Sequence, residues 1–281
     1  MRFKLYREYG ALNSRPVFDA FEQGLRSLGH EIVETNEDVA VIWSVLWSGK
    51  LAGNEKIYKN FRAINKPVLI IEVGNLKRGV TWRVSLDHIN RLGEFANNSN
   101  LDPNRPNILG VNLRPVVEKR RDEILICTQH ERSLQWEGMP PMKYWCEQII
   151  NTIKLKSSRK IIVRPHPRSP LVVQMAGVVT ERPRRVPNTY DDFDIFYNYH
   201  CIINYNSGPA VQAAINGTPI YCDSSSLAGE LSIKLEDIEN PVLPNREEWF
   251  LKLCHTEWTV EEIRQGVPLL RLMPYIQQKL G

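Results

Sequence analysis

The stretch NYNSGPAVQAAINGTPIYC, residues 204–222, reads as the end of a strand, a turn, a helix and a second strand. The apolar run HCIINY (200–205) supplies the first strand. Asn206-Ser207-Gly208 makes the turn, and Pro209 suits the first turn of a helix. Gly217 closes that helix, and Pro219 leads into the second strand. This order sets Ser207 and Gly208 at the carboxyl end of a strand, on a helix N-terminus. Free N–H groups and the helix dipole favour an anion there. Two readings fit: a cradle for a diphosphate, or an ordinary capped helix in a βαβ unit.

The same rhythm extends outward. EILICT (123–128) and KIIVR (160–164) read as strands, with helices over 142–153, 190–199 and 207–216. In the first half, residues 3–9 alternate like a strand. Ser14-Arg15-Pro16 starts a helix whose Phe18, Phe21, Leu25 and Leu28 fall at helical spacing, and Gly29 ends it. Residues 31–35 and 39–46 are short β-rich runs, 55–65 reads as a helix, and PVLIIEV (67–73) is a continuous apolar strand. Strands buried on both faces and alternating with helices predict parallel α/β sheets. The polar stretch NNSNLDPNRP (97–106) marks an excursion near a boundary, and residues 256–280 read as helical with a break at Pro268. The expected fold class is therefore α/β: two Rossmann-like domains over 1–113 and 114–255, facing a cleft, with a helical tail over 256–281. Ligands of open α/β sheets bind at the carboxyl ends of strands.

The chain has 281 residues, 24% of them charged, and a net charge of +4. That excludes a disordered tail or a coiled coil. The charge is uneven: net +3 over residues 1–113, +8 over 114–185 and −7 over 186–281. The basic middle fits an anionic ligand or a surface balanced in three dimensions. No apolar run approaches a membrane span, and no signal-peptide pattern opens the chain. The 5 cysteines are widely spaced, which predicts neither disulfides nor a zinc ribbon. The expected setting is reducing and cytoplasmic.

Three further segments carry polar groups at predicted strand ends. Arg164-Pro165-His166-Pro167-Arg168 sets arginines suited to phosphate around rigid prolines. Gln129, His130, Glu131, Arg132 and Ser133 follow EILICT and can meet a ligand or cap a helix. Glu72 ends an apolar strand, where partial desolvation favours a general base, although pairing with Arg78 or Arg83 is the alternative. The chain lacks a P-loop, G-x-G-x-x-G, H-E-x-x-H and G-x-S-x-G. Asp192-Phe193-Asp194 is formally a D-x-D, but it falls in a predicted helix, and no metal site is expected.

The polar loop after one strand, the His166-Pro167-Arg168 element, and the Ser207-Gly208 turn before a helix ending in Gly217-Thr218-Pro219 resemble the nucleotide-sugar half of GT-B glycosyltransferases. The run from Glu72 to Gly79 is similar to an E-D-G-F-L-R-S element of capsule-type (Kdo) transferases, with Val73 in place of its Asp. V-I-W at 41–43, T-W-R at 81–83, Q-H-E-R-S-L-Q-W at 129–136, Y-N-S at 205–207 and H-T-E-W-T at 255–259 resemble phage DNA-modifying glycosyltransferases. The resemblance implies a nucleoside diphosphate sugar as co-substrate, a UDP-sugar first, with no cofactor and no obligatory metal. It implies donor contacts from Gln129, Arg132, Ser133, Arg164, His166, Arg168, Asn206, Ser207 and Gly208. Glu72 would be the base, with Asp87 and His88 as alternatives. Lys77, Arg78, Trp82 and Arg83 would meet the acceptor, expected to be double-stranded DNA carrying 5-hydroxymethylcytosine in the host cytoplasm. Residues 1–113 would form the acceptor side, and the tail would cross back to them. A glycan or lipid-linked acceptor, a sugar-nucleotide epimerase and a non-catalytic binding protein are the competing readings.

Overall fold

A computed structural model of the chain describes residues 1–188 and 198–281. In chain order the described residues form β1 (Arg2–Leu5), α1 (Arg15–Ser27), β2 (Glu31–Ile32), β3 (Val39–Trp43), α2 (Gly53–Ala63), β4 (Val68–Val73), β5 (Thr81–Leu86), α3 (Arg105–Leu109), β6 (Ile124–Cys127), α4 (Met142–Lys154), β7 (Ile161–Arg164), β8 (Val178–Thr180), β9 (Cys201–Asn204), α5 (Gly208–Ile215), β10 (Ile220–Tyr221), α6 (Glu247–Cys254), β11 (Glu257–Thr259), α7 (Val260–Arg264) and α8 (Val267–Leu280). They divide into two compact units. One comprises Met1–Arg105, Arg132–Leu134 and Lys252–Gly281; the other comprises Pro106–Glu131 and Gln135–Leu251. The expected α/β class, with two units each built on a sheet, is what the structure has.

The first unit holds a six-stranded sheet in the order β11-β5-β4-β3-β1-β2. β1 to β4 pair in parallel, and β5 and β11 add antiparallel strands at one side. β3 is buried along all of its length. Such apolar strands, covered on both faces, are the mark of parallel pairing. On one face Ala40, Ile42, Val68 and Ile70 pack with Tyr58 of α2. On the other, Trp43 meets Phe18 of α1 at 6.0 Å between ring centres. Ser14 does not cap α1 as a side-chain acceptor; its hydroxyl donates to Ala11 O at 2.7 Å, and Pro16 opens the first turn.

The tail departs from the helical expectation. Residues Glu257–Thr259 form β11 before any helix begins, and the break falls at left-handed Gly266 (φ 76°), with Pro268 inside the first turn of α8. Thr259 and Glu262 form a capping box that starts α7. β5 was equally unexpected, because its alternation sends Thr81 and Ser85 into the interior.

The second unit holds a fully parallel five-stranded sheet in the order β10-β9-β6-β7-β8. Its chain enters at β6, runs outward through β7 and β8, and returns to the other side of β6 as β9 and β10. The direction of winding therefore reverses beside β6, the switch point at which open α/β sheets bind ligands. Ile124, Ile126, Ile161, Val163, Cys201 and Ile203 form one apolar face, covered by Trp145, Ile150 and Ile153 of α4.

Arg105 closes the first unit. It is only 4% exposed, donates to Cys254 O (3.1 Å) and Glu257 O (2.7 Å), pairs with Glu262, and lies 4.4 Å from the centre of the Trp258 ring. The polar excursion before it is fastened by Arg271, which donates to the carbonyls of Ala96, Ser99 and Asn100. Arg105→Ala strands two carbonyls and a carboxylate, so it lowers unfolding free energy by about 3 kcal/mol in urea titrations; a loss under about 1 kcal/mol would contradict this account. Burial pushes the Glu262 carboxyl up, but hydrogen bonds from Arg105 and the Thr259 amide prevail and hold it below its usual 4.5. A depressed carboxyl stabilises the fold above its unfolded pKa and loses that contribution as pH falls. The gap between the native chain and Arg105→Ala therefore narrows below about pH 4.5.

Candidate functional site

Each unit gathers polar side chains at the carboxyl ends of its strands. In the first unit, β3 ends at Ser44, whose backbone is left-handed (φ 63°). Non-glycine residues hold that conformation only where neighbours enforce it. Here the Ser44 amide donates to Ile71 O at 2.8 Å, and its hydroxyl donates to Glu72 Oε2 at 2.6 Å. Glu72 Oε1 accepts from the Val73 amide at 2.8 Å. The carboxylate is thus oriented through both oxygens while staying partly exposed.

Arg132 and Ser133 reach this same edge. The Trp47 amide donates to Arg132 O (2.7 Å), Leu134 N donates to Val45 O (2.9 Å), and Ser133 bridges to Leu46. The loop expected to serve the donor as one piece is therefore divided: Gln129 belongs to the second unit, Arg132 and Ser133 to the first.

Glu72, Arg83 and Glu257 lie directly opposite one another on β4, β5 and β11. Glu257 is fully buried. Its carboxylate accepts from the amides of Asn75 (2.5 Å) and Leu76 (3.0 Å) and from the Thr81 hydroxyl (2.7 Å). Burial pushes this carboxyl up, opposed by Arg83 and by those bonds. A Cβ on Gly74 would sit 2.3 Å from Glu257 Oε2, so only glycine lets the turn close over the carboxylate. Arg83 donates to Val73 O (3.2 Å) and Ile89 O (3.1 Å). Burial presses its guanidinium below the usual value, and Glu72 and Glu257 act against that.

Asp87 and His88 stand elsewhere. The Asp87 amide donates to Val68 O (2.7 Å), which puts it at the amino end of β4, about 13 Å along the strand from Glu72 at ~3.3 Å per residue. Its carboxylate is taken up by the Val68 amide, Arg62 and Lys279. His88 is pushed down to about 4, chiefly by burial and further by Arg62, and its Nδ1 accepts from the Ile89 amide. Neither is brought to Glu72. Trp82 is 4% exposed and packs on Trp43 at 5.2 Å, inside the core rather than at a surface. Lys77 and Arg78 are exposed on the turn after β4.

In the second unit, β6, β7 and β9 are neighbours, so the three expected segments meet at one edge. Asn204, at the end of β9, donates to Cys127 O and to Ser207 Oγ, both at 2.8 Å, and accepts from the Ser207 amide at 2.7 Å. Ser207 consequently makes no side-chain cap on α5, whose first turn contains Pro209. Gln129 Oε1 accepts from the Asn206 amide at 3.0 Å. Gln129 is 3% exposed, and its Nε2 has no hydrogen-bond partner among the described residues. A buried amide donor left unmatched is costly, and a ligand oxygen is one way to match it. Gln135 and Ser225 hold Asn206 from the other side, through bonds of 2.6 and 2.5 Å. Asn204, Gln135 and Ser225 escaped sequence reading, since only the fold brings them together.

The His166 amide donates to the Thr128 hydroxyl at 2.9 Å, and the His130 and His166 rings meet edge-on at 5.5 Å. Arg168 is exposed, and its amide donates to His166 Nδ1. Arg164 is 5% exposed and lies 3.4 Å from Glu181, so its charge is turned inward. Asp192-Phe193-Asp194 and the expected helix over 190–199 lie outside the described residues, apart from 198–199. Among the described residues no group of three or more His, Cys, Asp or Glu could hold a metal ion, and no helix is long and apolar enough to cross a membrane. All five cysteines are buried and free, and burial pushes Cys127 up to about 12.

No family model matches the chain, and no curated protein does either. Solved structures do. The β-Kdo 2,4 transferase of Thermosulfurimonas dismutans KpsC is similar over 100% of this chain and 98% of its own, at 11% identity and a TM-score of 0.54. The β-Kdo 2,7 transferase of the same protein is similar over 96% of this chain and 99% of its own, at 12% identity and a TM-score of 0.51. At such identities the likeness is one of fold, and it extends along both units.

Proposed function

We propose that the chain is a glycosyltransferase that moves a sugar from a nucleoside diphosphate sugar to a hydroxyl acceptor. The observation that carries this reading is the pairing of chemistries at strand ends. One unit presents an oriented, half-buried carboxylate at Glu72. The other presents, beside its switch point, a helix N-terminus without a side-chain cap and the unmatched Gln129 amide. The fold shared with Kdo transferases agrees with it.

In this reaction the acceptor hydroxyl gives its proton to Glu72 as its oxygen bonds to the anomeric carbon. The bond from that carbon to the diphosphate breaks, and the nucleoside diphosphate leaves with the electron pair. The α5 N-terminus, Gln129, His166 and Arg168 stabilise the charge that develops on the departing phosphate. A UDP-sugar is the donor we favour, and no step requires a cofactor.

The acceptor we infer is the hydroxymethyl group of 5-hydroxymethylcytosine in DNA. Support comes from the sequence resemblance to phage enzymes and from exposed Lys77 and Arg78 on the turn after Glu72, where a phosphate backbone can be met. A saccharide acceptor is the second reading. The Kdo transferases of like fold favour it, as does burial of Trp82, which removes the expected stacking partner for a flipped base.

Incubation with mixed sugar nucleotides and either hydroxymethylcytosine DNA or oligosaccharides, followed by mass spectrometry, separates the two. A hexose or pentose adduct on the nucleoside supports the first, and a lengthened glycan the second; confirmed donor binding without transfer to either would overturn the enzyme reading. Glu72→Gln should cut turnover by about 10²- to 10⁴-fold while donor binding, followed by calorimetry, stays unchanged. Gln129→Leu should do the reverse, weakening donor binding about tenfold or more; equal donor affinity in that variant would remove Gln129 from the site.

A further inference from the structure

The cations of the first unit are treated differently at the two edges of its sheet. Toward the amino ends of the strands they are taken up. Arg2 pairs with Asp38, Arg62 and Lys279 pair with Asp87, and Lys66 donates to Glu37 O at 2.8 Å. At the carboxyl ends they are left open. Arg15 begins α1, Lys50 lies in the turn before α2, Lys56 in the first turn of α2, and Lys77 and Arg78 on the turn after β4. Arg132 reaches the same edge through its carbonyl bond to the Trp47 amide. All six side chains are exposed, and among the described residues Arg15, Lys50, Lys56 and Lys77 make no ion pair. Carboxylates at this edge are fewer: Glu55 is paired with Lys59 at 2.7 Å, Glu72 is held by Ser44 and Val73, and Glu8 is exposed.

The loops that carry these cations are fixed to one another. Asn54 donates to Tyr9 O (3.2 Å) and Trp43 O (2.7 Å), which joins the loop after β1, the end of β3 and the start of α2. The Tyr9 ring lies so close to Gly53 that a Cβ there would sit 2.2 Å from it. Ser44 then joins β3 to Glu72 on β4. β4, β3 and β1 are neighbours, so the basic rim runs about 10 Å across the sheet, at ~4.8 Å per strand. A lone phosphate on a small ligand could meet only one or two of these cations; a polymer with many charges could meet most of them. We propose that this rim is the docking surface for the sugar-phosphate backbone of an acceptor nucleic acid, with Arg15, Lys50, Lys56 and Arg132 extending the contacts of Lys77 and Arg78. This role rests on the reading of DNA as the acceptor. A duplex carries one charge per ~1.7 Å of its axis, so several phosphates face the rim in any register. An acidic glycan spaces its charges more widely. Phosphate contacts position a duplex without reading its sequence, and these would lay it across the edge where Glu72 stands.

The test is binding of the full chain to a fluorescent duplex of about 20 base pairs, unmodified and without sugar nucleotide, followed by anisotropy over a salt series. In the native chain the logarithm of affinity should fall against the logarithm of salt with a slope of about −3 to −5. The double variant Lys50→Gln/Lys56→Gln should bind about tenfold or more weakly at low salt, with a slope shallower by about 2. Lys160→Gln, at an exposed lysine before β7 in the other unit, should leave the slope unchanged. No binding by the native chain, a slope near zero, or the same slope in the double variant would overturn the proposal. So would an equal loss in Lys160→Gln, or tighter binding of polysialic acid than of duplex at matched charge. Because neither donor nor hydroxymethyl group is present, the outcome is independent of sugar transfer. Salt-dependent docking with no transfer to hydroxymethylcytosine DNA leaves the rim intact and removes the transferase reading for that acceptor; transfer that the double variant performs with unchanged affinity does the reverse.

Discussion

Glu257 brings a carboxylate into the interior of the first unit, and a charge so placed is tolerable only when other groups replace the water it has lost. Much of the local architecture follows from that need. Two amides and a hydroxyl must point at it, so the chain after β4 turns tightly over it. The turn can come close enough only because residue 74 has no side chain. Arg83 must stand opposite, so β5 carries a cation on an inward face. Arg105 then satisfies the Glu257 carbonyl from the other side and covers Trp258. A substitution at any of these points therefore reaches the edge where Glu72 sits.

The two edges differ in how they are preorganised. Around Glu72, orientation comes from a strained serine and from strand register. Around Ser207 it comes from asparagine and glutamine amides, Asn204, Asn206, Gln129 and Gln135, each used as donor, acceptor or both. Amides hold the shape of a loop through hydrogen bonds and add no charge of their own. Arg164 faces Glu181, whereas Arg168 remains exposed.

The parallel core was legible in the sequence because continuous apolar runs such as 67–73 and 200–205 have few other uses. The Asn206–Gly208 turn was legible because proline and glycine bracket α5. Glu72 stood out as a lone charge ending an apolar run. What could not be read was every position where a polar group faces inward. Thr81, Arg83 and Ser85 alternate correctly for a strand, but their polarity suggests solvent. Glu257 suggests it more strongly, which made β11 look like the start of a helix. The capping box at Thr259 and Glu262 was present in the sequence and would have placed the start of α7. Asp87 and His88 illustrate a different limit. They follow Glu72 closely in sequence, yet β5 runs antiparallel to β4 and carries them to the far end of the strand.

The first unit is completed by the last residues of the chain: β11 pairs with β5, and α7 packs on α1, with the whole of the second unit lying between them in sequence. On a ribosome adding about 5–20 residues per second, the strands of the first sheet wait on the order of 10 to 30 s for that edge to arrive. During that interval β5 exposes an unpaired strand edge, and Arg83 lacks one of its two carboxylates. The second unit, by contrast, is contiguous but for three residues and can assemble while the first is still waiting. Birth order thus runs against chain order, and the unit made first is the one finished last.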